Sequence, residues 1–234
     1  MHLGIDTSGA VSVAIGRPGE DGELQILATR ADERARHHDE VLMTAIDGAL
    51  ADAGVRRTEL TRVVAGRGPG PFTGLRVGLV VARTIAAALD LELVGVSSLD
   101  ALAHQALAED PTPGTPRTVA VALDARRREV YHARYQATDG TVATLERVSE
   151  PAVDLPADIA AQLSGCDLVV GSGARLYADL LAPTTEHAHA DAGHLLQVAA
   201  LLASRGEDLS STEPLYLRAP DAAKPTARKS ALGR

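Results

Sequence analysis

Three groups of residues in this chain are of types that do chemistry. The first is the run Gly66-Arg67-Gly68-Pro69-Gly70-Pro71-Phe72-Thr73-Gly74-Leu75-Arg76-Val77-Gly78. Gly66, Gly68 and Gly70 permit backbone angles closed to other residues, while Pro69 and Pro71 fix φ and remove two amide donors, so the turn is rigid and sharply folded. Ahead of a helix, such a turn offers free amides and the positive helix end to an anion. It lacks both the Gly-Lys-Ser/Thr ending of a phosphate loop and the third glycine of the dinucleotide fingerprint, so it reads either as an unusual phosphate cradle or as a packing element. The second group is Asp6, Thr7 and Ser8 together with Asp124, which could contact a phosphate-bound Mg²⁺ across a cleft. The third is His187, His189, Asp191 and His194, enough donors on paper for a metal.

Each group also has a plainer reading. Asp6-Thr7-Ser8-Gly9 is a short turn, and Asp124 precedes Arg126, Arg127 and Arg128, which could neutralise it. A nucleotide cleft built on these residues is therefore expected to be vestigial or weak. The three arginines read as solvent-facing charges in local salt bridges, or as a contact to a nucleic-acid phosphate backbone, since phosphate contacts supply most sequence-independent affinity. Asp191 can cap a following helix, which removes it from a metal set. The hydroxyls of Thr7, Ser8, Ser97, Ser98 and Ser172 are available nucleophiles, but none sits in a strand-to-helix elbow with an identifiable His and Asp partner; turn and cap roles fit them better.

Periodicity supplies the elements that must position these residues. Leu3–Ser8 and Val11–Ile15 predict a hairpin, and Leu24–Thr29 a third strand. Residues 36–53 carry Val41, Leu42, Ala45, Ile46, Ala49 and Leu50 at helical spacing, ending at Gly54 as a C-cap. A strand at Arg62–Ala65, the glycine turn, a helix to about Leu89 and a strand at Leu93–Val96 form a strand-helix-strand unit. In that helix Gly74, Gly78, Ala82 and Ala86 recur every fourth residue, a smooth stripe that another element can approach closely. Val77, Val81, Thr84, Ile85 and Ala88 flank it. The stripe meets either the chain's own core or a second subunit. A helix at Ser98–Ala108, capped by Ser97 or Ser98, opens a second half with strands at Thr118–Leu123 and Glu129–Gln136 around the arginine turn. A helix at Leu155–Leu163, a strand at Asp167–Gly171 and helices at Ala174–Leu181 and Ala192–Arg205 follow. Both halves open on a hairpin whose turn carries an aspartate, which suggests a duplication around a cleft.

Composition narrows the function. The 234 residues carry a net charge of −8, unevenly placed: after Asp221 come Lys224, Arg228, Lys229 and Arg234 with no acid, leaving 19 basic against 31 acidic residues before them. A body near −12 is a poor surface for a phosphate backbone, so strong nucleic-acid binding by this chain alone is not expected. One Phe, four Tyr and no Trp make a base-stacking platform equally unexpected. The single cysteine, Cys166, excludes an internal disulfide framework and reads as a small core residue in a reducing compartment. No signal-like start and no apolar run of membrane-spanning length is read, which predicts a cytoplasmic protein without membrane association.

The runs Gly66–Gly78, Gly4–Ser8, Ala122–Arg126 through Glu129-Val130-Tyr131, and Pro214-Leu215-Tyr216-Leu217-Arg218 stand in an order that resembles the bacterial TsaB (YeaZ-type) family, subunits of the tRNA threonylcarbamoyladenosine machinery. The likeness runs from residue 3 to about 221. It implies an α/β fold of the duplicated actin-like and Hsp70-like ATPase type, with a first lobe over 1–97, a second over 98–221 and a basic tail, read as disordered, over 222–234. It further implies a non-catalytic scaffold that pairs with a larger catalytic paralogue, TsaD, and works with an ATPase, TsaE. Together they transfer a threonylcarbamoyl group to N6 of adenosine 37 in tRNAs reading codons that begin with A; ATP is used by the complex, and this subunit requires no cofactor or metal of its own. The same face can form a homodimer when the partner is absent, and tRNA is met indirectly. Carried over by position, the interface comprises His37, Val41, Leu42, Ala45, Ile46 and Ala49 on one helix and Phe72, Leu75, Arg76, Leu79, Ala82 and Arg83 on the next. Gly66, Gly68, Gly70 and Gly74 are then structural turn residues. The catalytic paralogue's pair of metal-binding histidines, four apart on a helix, has no counterpart here, because His37 and His38 are adjacent and point to different sides; Asp39 and Glu40 beside them read as a solvated face. The competing expectation is an ATP-dependent phosphotransferase or hydrolase of the same fold acting through the interlobe cleft at Asp6 and Asp124.

Overall fold

The computed structural model describes residues 1–19, 24–32 and 38–218. His37 and the basic tail beyond Asp221 lie outside the described residues. Two five-stranded mixed sheets form the frame. In the first, β1 (His2–Asp6), β2 (Val11–Pro18), β3 (Leu24–Asp32), β4 (Arg62–Gly66) and β5 (Glu92–Val96) lie in the order β3-β2-β1-β4-β5, with β1, β4 and β5 parallel. In the second, β6 (Arg117–Asp124), β7 (Val130–Ala137), β8 (Leu145–Arg147) and β10 (Leu168–Val170) lie in the order β10-β6-β7-β8, and β9 (Ala152–Asp154) pairs with the far end of β7. The two orders superpose: β1–β2 matches β6–β7, and parallel β4 matches parallel β10. Asp6 and Asp124 therefore end equivalent strands, as the duplicated hairpins predict.

Alternation along the strands splits each sheet between two cores. Leu3, Ile5, Val63 and Ala65 point to one side of the first sheet, against α1 (His38–Ala53) and α2 (Phe72–Leu89). Val64, Val94 and Val96 point to the other side, against α3 (Ser98–Glu109) and α7 (Ala192–Ser204). In the second sheet Val119, Val121 and Leu123 face α3, while Ala120 and Ala122 face α4 (Pro156–Leu163), α5 (Ser172–Leu176) and α6 (Ala178–Leu181). The result is five layers, with α3 and α7 shared between the sheets. Helix α7 packs on the first sheet although it follows the second in the chain, so close that Gly4 admits no Cβ beside the Ala192 carbonyl and Leu196.

Several local signals act as read. Gly54 ends α1 at φ +65 with Val55 N donating to Leu50 O at 2.9 Å, a left-handed helix stop. Ser97 caps α3 by accepting from Leu99 N at 3.2 Å, and Asp191 caps α7 by accepting from Gly193 N at 2.7 Å. Other expectations need correction. The helix read over 174–181 is two short pieces broken at Tyr177, whose φ −116 and ψ 43 are not helical. Strands β8 and β9, three residues each, carry too little periodicity to be seen. The reading that no apolar run reaches membrane-spanning length also fails on length and hydropathy alone, because the 18 residues of α2 have a mean hydropathy of 1.5. Yet α2 sets Leu75, Leu79, Ala82 and Ala86 into the core and carries Arg76 and Arg83, which is the construction of a core helix.

Candidate functional site

The two strand ends that could form a nucleotide cleft differ in burial and bonding. Asp6 is 1 % exposed. Its Oδ1 accepts from Ser8 N at 2.8 Å and from Ser8 Oγ at 2.6 Å, and its Oδ2 accepts from the Ser98 hydroxyl. Burial pushes the Asp6 carboxyl above its ordinary range, and the serine hydrogen bonds pull in the opposite direction. Thr7 donates through Oγ1 to Gly74 O at 2.8 Å. The glycine-rich turn closes over this loop. A Cβ on Gly66 would overlap the Asp6 carboxylate, one on Gly70 the Ser8 carbonyl, and one on Gly78 the Thr7 hydroxyl. Gly68 N donates to Ser98 Oγ at 3.2 Å, and Gly68 O accepts from Ser98 N at 2.9 Å and Ser97 Oγ at 3.3 Å. Gly66, Gly70 and Gly78 thus serve close approach to the Asp6–Ser8 loop, and Gly68 ties the turn to the start of α3. The Gly/Ala stripe of α2 likewise faces this chain's own β1 loop and core.

At the second strand end Asp124 is only partly buried. Its Oδ1 accepts from Arg126 N at 2.8 Å and its Oδ2 from the Arg126 guanidinium at 3.0 Å, while Asp124 N donates to Ser172 Oγ at 3.1 Å. Arg126, Arg127 and Arg128 are exposed and sit at φ 60, 54 and 65, a full left-handed turn. It is closed by Ala125 N donating to Glu129 O at 3.0 Å and Glu129 N to Arg126 O at 2.9 Å. Such a run was not legible from residue types, since arginine has no preference for it.

The histidine group comes apart. His187 pairs through Nε2 with Glu109 at 2.8 Å, Asp191 caps α7, and His189 lies over Gly9. His194 Nδ1 meets His104 Nδ1, from α3, at 3.0 Å. Burial holds His104 down at about 3 and lowers His194 as well, so this pair is a neutral donor–acceptor link between the two shared helices. Among the described residues no three His, Cys, Asp or Glu side chains are grouped to hold a metal ion. Cys166 is half-buried beside the α4 core, and burial raises its thiol.

The α1/α2 face presents a different surface. Leu42, Ala45, Ile46, Ala49, Leu75, Leu79 and Ala82 are interior, packed between these helices and the first sheet, so they support the face without forming its surface. Val41 is partly buried, and Phe72, Arg76 and Arg83 are exposed. Helical spacing showed an apolar stripe but could not tell which members the sheet would cover. The apolar surface consists of Phe72 at 54 %, Val80 at 58 %, Met43 at 40 % and Leu89 at 36 % exposure. Two shallow grooves run there, one of about 450 Å³ along Phe72, Arg76, Val77 and Val80, the other of about 160 Å³ between Met43, Leu50, Ile85 and Leu89. The C-terminal segment braces its upper end. Tyr216 stacks on Phe72 with ring centroids 5.3 Å apart, Arg76 lies 3.9 Å over the Phe72 ring, and Arg83 donates to Thr212 O at 2.9 Å.

The family described as "TsaD: tRNA N6-adenosine threonylcarbamoyltransferase" matches residues 25–210. An uncharacterized protein of Mycobacterium tuberculosis is 40 % identical over 227 residues, covering 96 % of this chain and 94 % of its own. The protein of Escherichia coli K12 called "tRNA threonylcarbamoyladenosine biosynthesis protein TsaB" is 30 % identical over 201 residues, 78 % of this chain and 81 % of its own. The crystal structure of YeaZ from Pseudomonas aeruginosa superposes with a TM-score of 0.74 at 30 % identity, covering 92 % of this chain and 99 % of that one. These likenesses establish that the chain belongs to the TsaB (YeaZ-type) family.

Proposed function

We propose that this chain is a non-catalytic scaffold in tRNA threonylcarbamoyladenosine biosynthesis, docking a TsaD-type catalytic subunit on its α1/α2 face. The observation that carries the reading is the contrast between a buried, hydrogen-bonded Asp6 loop and an open apolar face. Asp6 is the residue that a phosphate-bound metal would need, and both its oxygens are engaged by Ser8 and Ser98 under the glycine turn. Phe72, Val80 and Met43 meanwhile expose apolar area on a two-helix surface, which is the composition of an interface core. Relatives named for this biosynthesis support the pathway. In this reading ATP is consumed elsewhere in the complex, TsaE joins through the heterodimer, tRNA is held mainly by the partner, the subunit needs no metal, and the setting is cytoplasmic. Alone, the same face pairs two copies of the chain.

The partner surface is defined by Met43, Phe72, Arg76, Val77 and Val80, with the interior residues beneath as support. The test is light scattering coupled to size exclusion, on the chain alone and mixed with the TsaD-type protein of the same organism. Val80→Arg is exposed and so leaves folding intact; it should weaken the heterodimer at least about tenfold, the scale of an interface hot spot. A wild-type chain that forms no heterodimer, or a Val80→Arg variant that binds unchanged with an unaltered circular dichroism spectrum, contradicts the proposal.

A further inference from the structure

The arginine turn is not used by the scaffold reading, and its construction is unusual. Left-handed backbone costs about 1–2 kcal/mol per non-glycine residue, so a connection serving only to join β6 to β7 is satisfied more cheaply by glycine or asparagine. Here three arginines stand in succession at φ 60, 54 and 65. Such strain persists where the surroundings hold it. Here they do: the Asp124 carboxylate holds Arg126, the Ala125–Glu129 hydrogen bonds close the turn, and Arg218 donates to Ala125 O at 3.2 Å while pairing with Glu129. The turn thus presents three exposed arginines on a braced backbone, in a chain whose net charge is −8. Arg218 adds a further cation beside the turn, paired with Glu129.

We propose that the Arg126-Arg127-Arg128 turn is a contact site for the phosphate backbone of the tRNA handled by the complex, an inference that rests on the pathway proposed above. Guanidinium groups suit it because their planar donors engage phosphate oxygens in pairs. The site carries no sequence information and adds affinity to RNA already positioned by the partner, which reconciles it with the acidic body.

The test measures fluorescein-labelled tRNA binding by anisotropy against salt, for the heterodimer and for the chain alone, with wild type, Arg127→Gln/Arg128→Gln and Arg127→Lys/Arg128→Lys. Arg126 is left in place because it holds Asp124. The glutamine variant should bind the tRNA roughly tenfold more weakly near 0.1 M salt and flatten the log–log salt slope by about 1 to 2, with the lysine variant close to wild type. Equal affinity and slope for wild type and glutamine variant overturns the proposal. A glutamine variant that loses the partner while keeping tRNA affinity also overturns it, since the turn then meets protein. If the wild-type heterodimer never forms, the scaffold reading fails by itself. The chain alone at low salt then decides: a flatter slope for the glutamine variant supports the RNA contact, and identical slopes refute it.

Discussion

The strand ends at Asp6 and Asp124 occupy equivalent places in a duplicated fold, and the chain has used them in opposite ways. At the first, three side chains and a glycine-rich turn converge until no atom more than hydrogen can be added to Gly66, Gly70 or Gly78. At the second, the aspartate remains partly open and supports a strained turn of exposed arginines. What decides the outcome is the element following the parallel strand. After β4 comes Gly66–Pro71 and the long α2, whose small residues let it sit on the loop. After β10 comes Gly171 at φ +113 and the five-residue α5, which leaves the arginine turn uncovered. Topology fixes where a site can be; the residues after the strand fix whether it is filled.

This comparison can be broken by mutation. The largest effect is expected for Gly70→Ala, whose Cβ overlaps the Ser8 backbone; overpacking of this kind should cost about 3 kcal/mol in urea unfolding. Gly165→Ala, with its nearest neighbour at 3.6 Å, should stay within about 0.5 kcal/mol. Asp6→Ala strands the Ser8 and Ser98 donors in the interior and should cost about 2 kcal/mol, against less than about 1 kcal/mol for Asp124→Ala, where water can reach the loop. Equal losses at the two aspartates would dissolve the contrast.

The layer shared by the two halves answers to pH. His104 is held at about 3, below the ordinary 6.5, so its contribution to stability is complete above pH 6.5 and is lost as pH falls toward 3. Between pH 6.5 and 5 that loss should be about 2 kcal/mol, at roughly 1.4 kcal/mol per unit. In His104→Asn the urea midpoint should change less over the same interval, and an unchanged pH profile would remove the buried pair from the account. The smallest effect is expected for Arg128→Gly, which relieves a left-handed φ and should raise stability by about 0.5 kcal/mol in thermal unfolding.

Much of this architecture was legible in the sequence for identifiable reasons. The strand-turn-strand openings, the α1 stop at Gly54 and the caps at Ser97 and Asp191 are local signals, set by neighbours a few residues away. The candidate site was less legible because burial is decided at long range. Residue types at Asp6-Thr7-Ser8 suit a phosphate as well as a packed loop, and only Ser98, ninety residues later, settles which oxygens are taken. The residues expected at an interface show the same ambiguity: Leu42 and Ala45 lie on the same helix as exposed Met43 but are buried in the core. Tyr216 on Phe72, brought by a segment 144 positions away, had no local trace. The left-handed arginines were hidden because their types disfavour that backbone.

In the proposed scaffold, function resides in the α1/α2 face and not at Asp6 and Asp124. The most direct measurement is threonylcarbamoyl transfer to tRNA by the TsaD-type partner and its ATPase, reconstituted with wild-type chain, Val80→Arg or Asp124→Asn. At saturating tRNA, where a loosened arginine turn does not limit the rate, activity should require this chain, survive Asp124→Asn within about twofold, and fall at least about tenfold with Val80→Arg, restored by excess chain as a binding defect should be. Loss of activity in Asp124→Asn with the heterodimer intact, or full activity in Val80→Arg at limiting concentration, would contradict it.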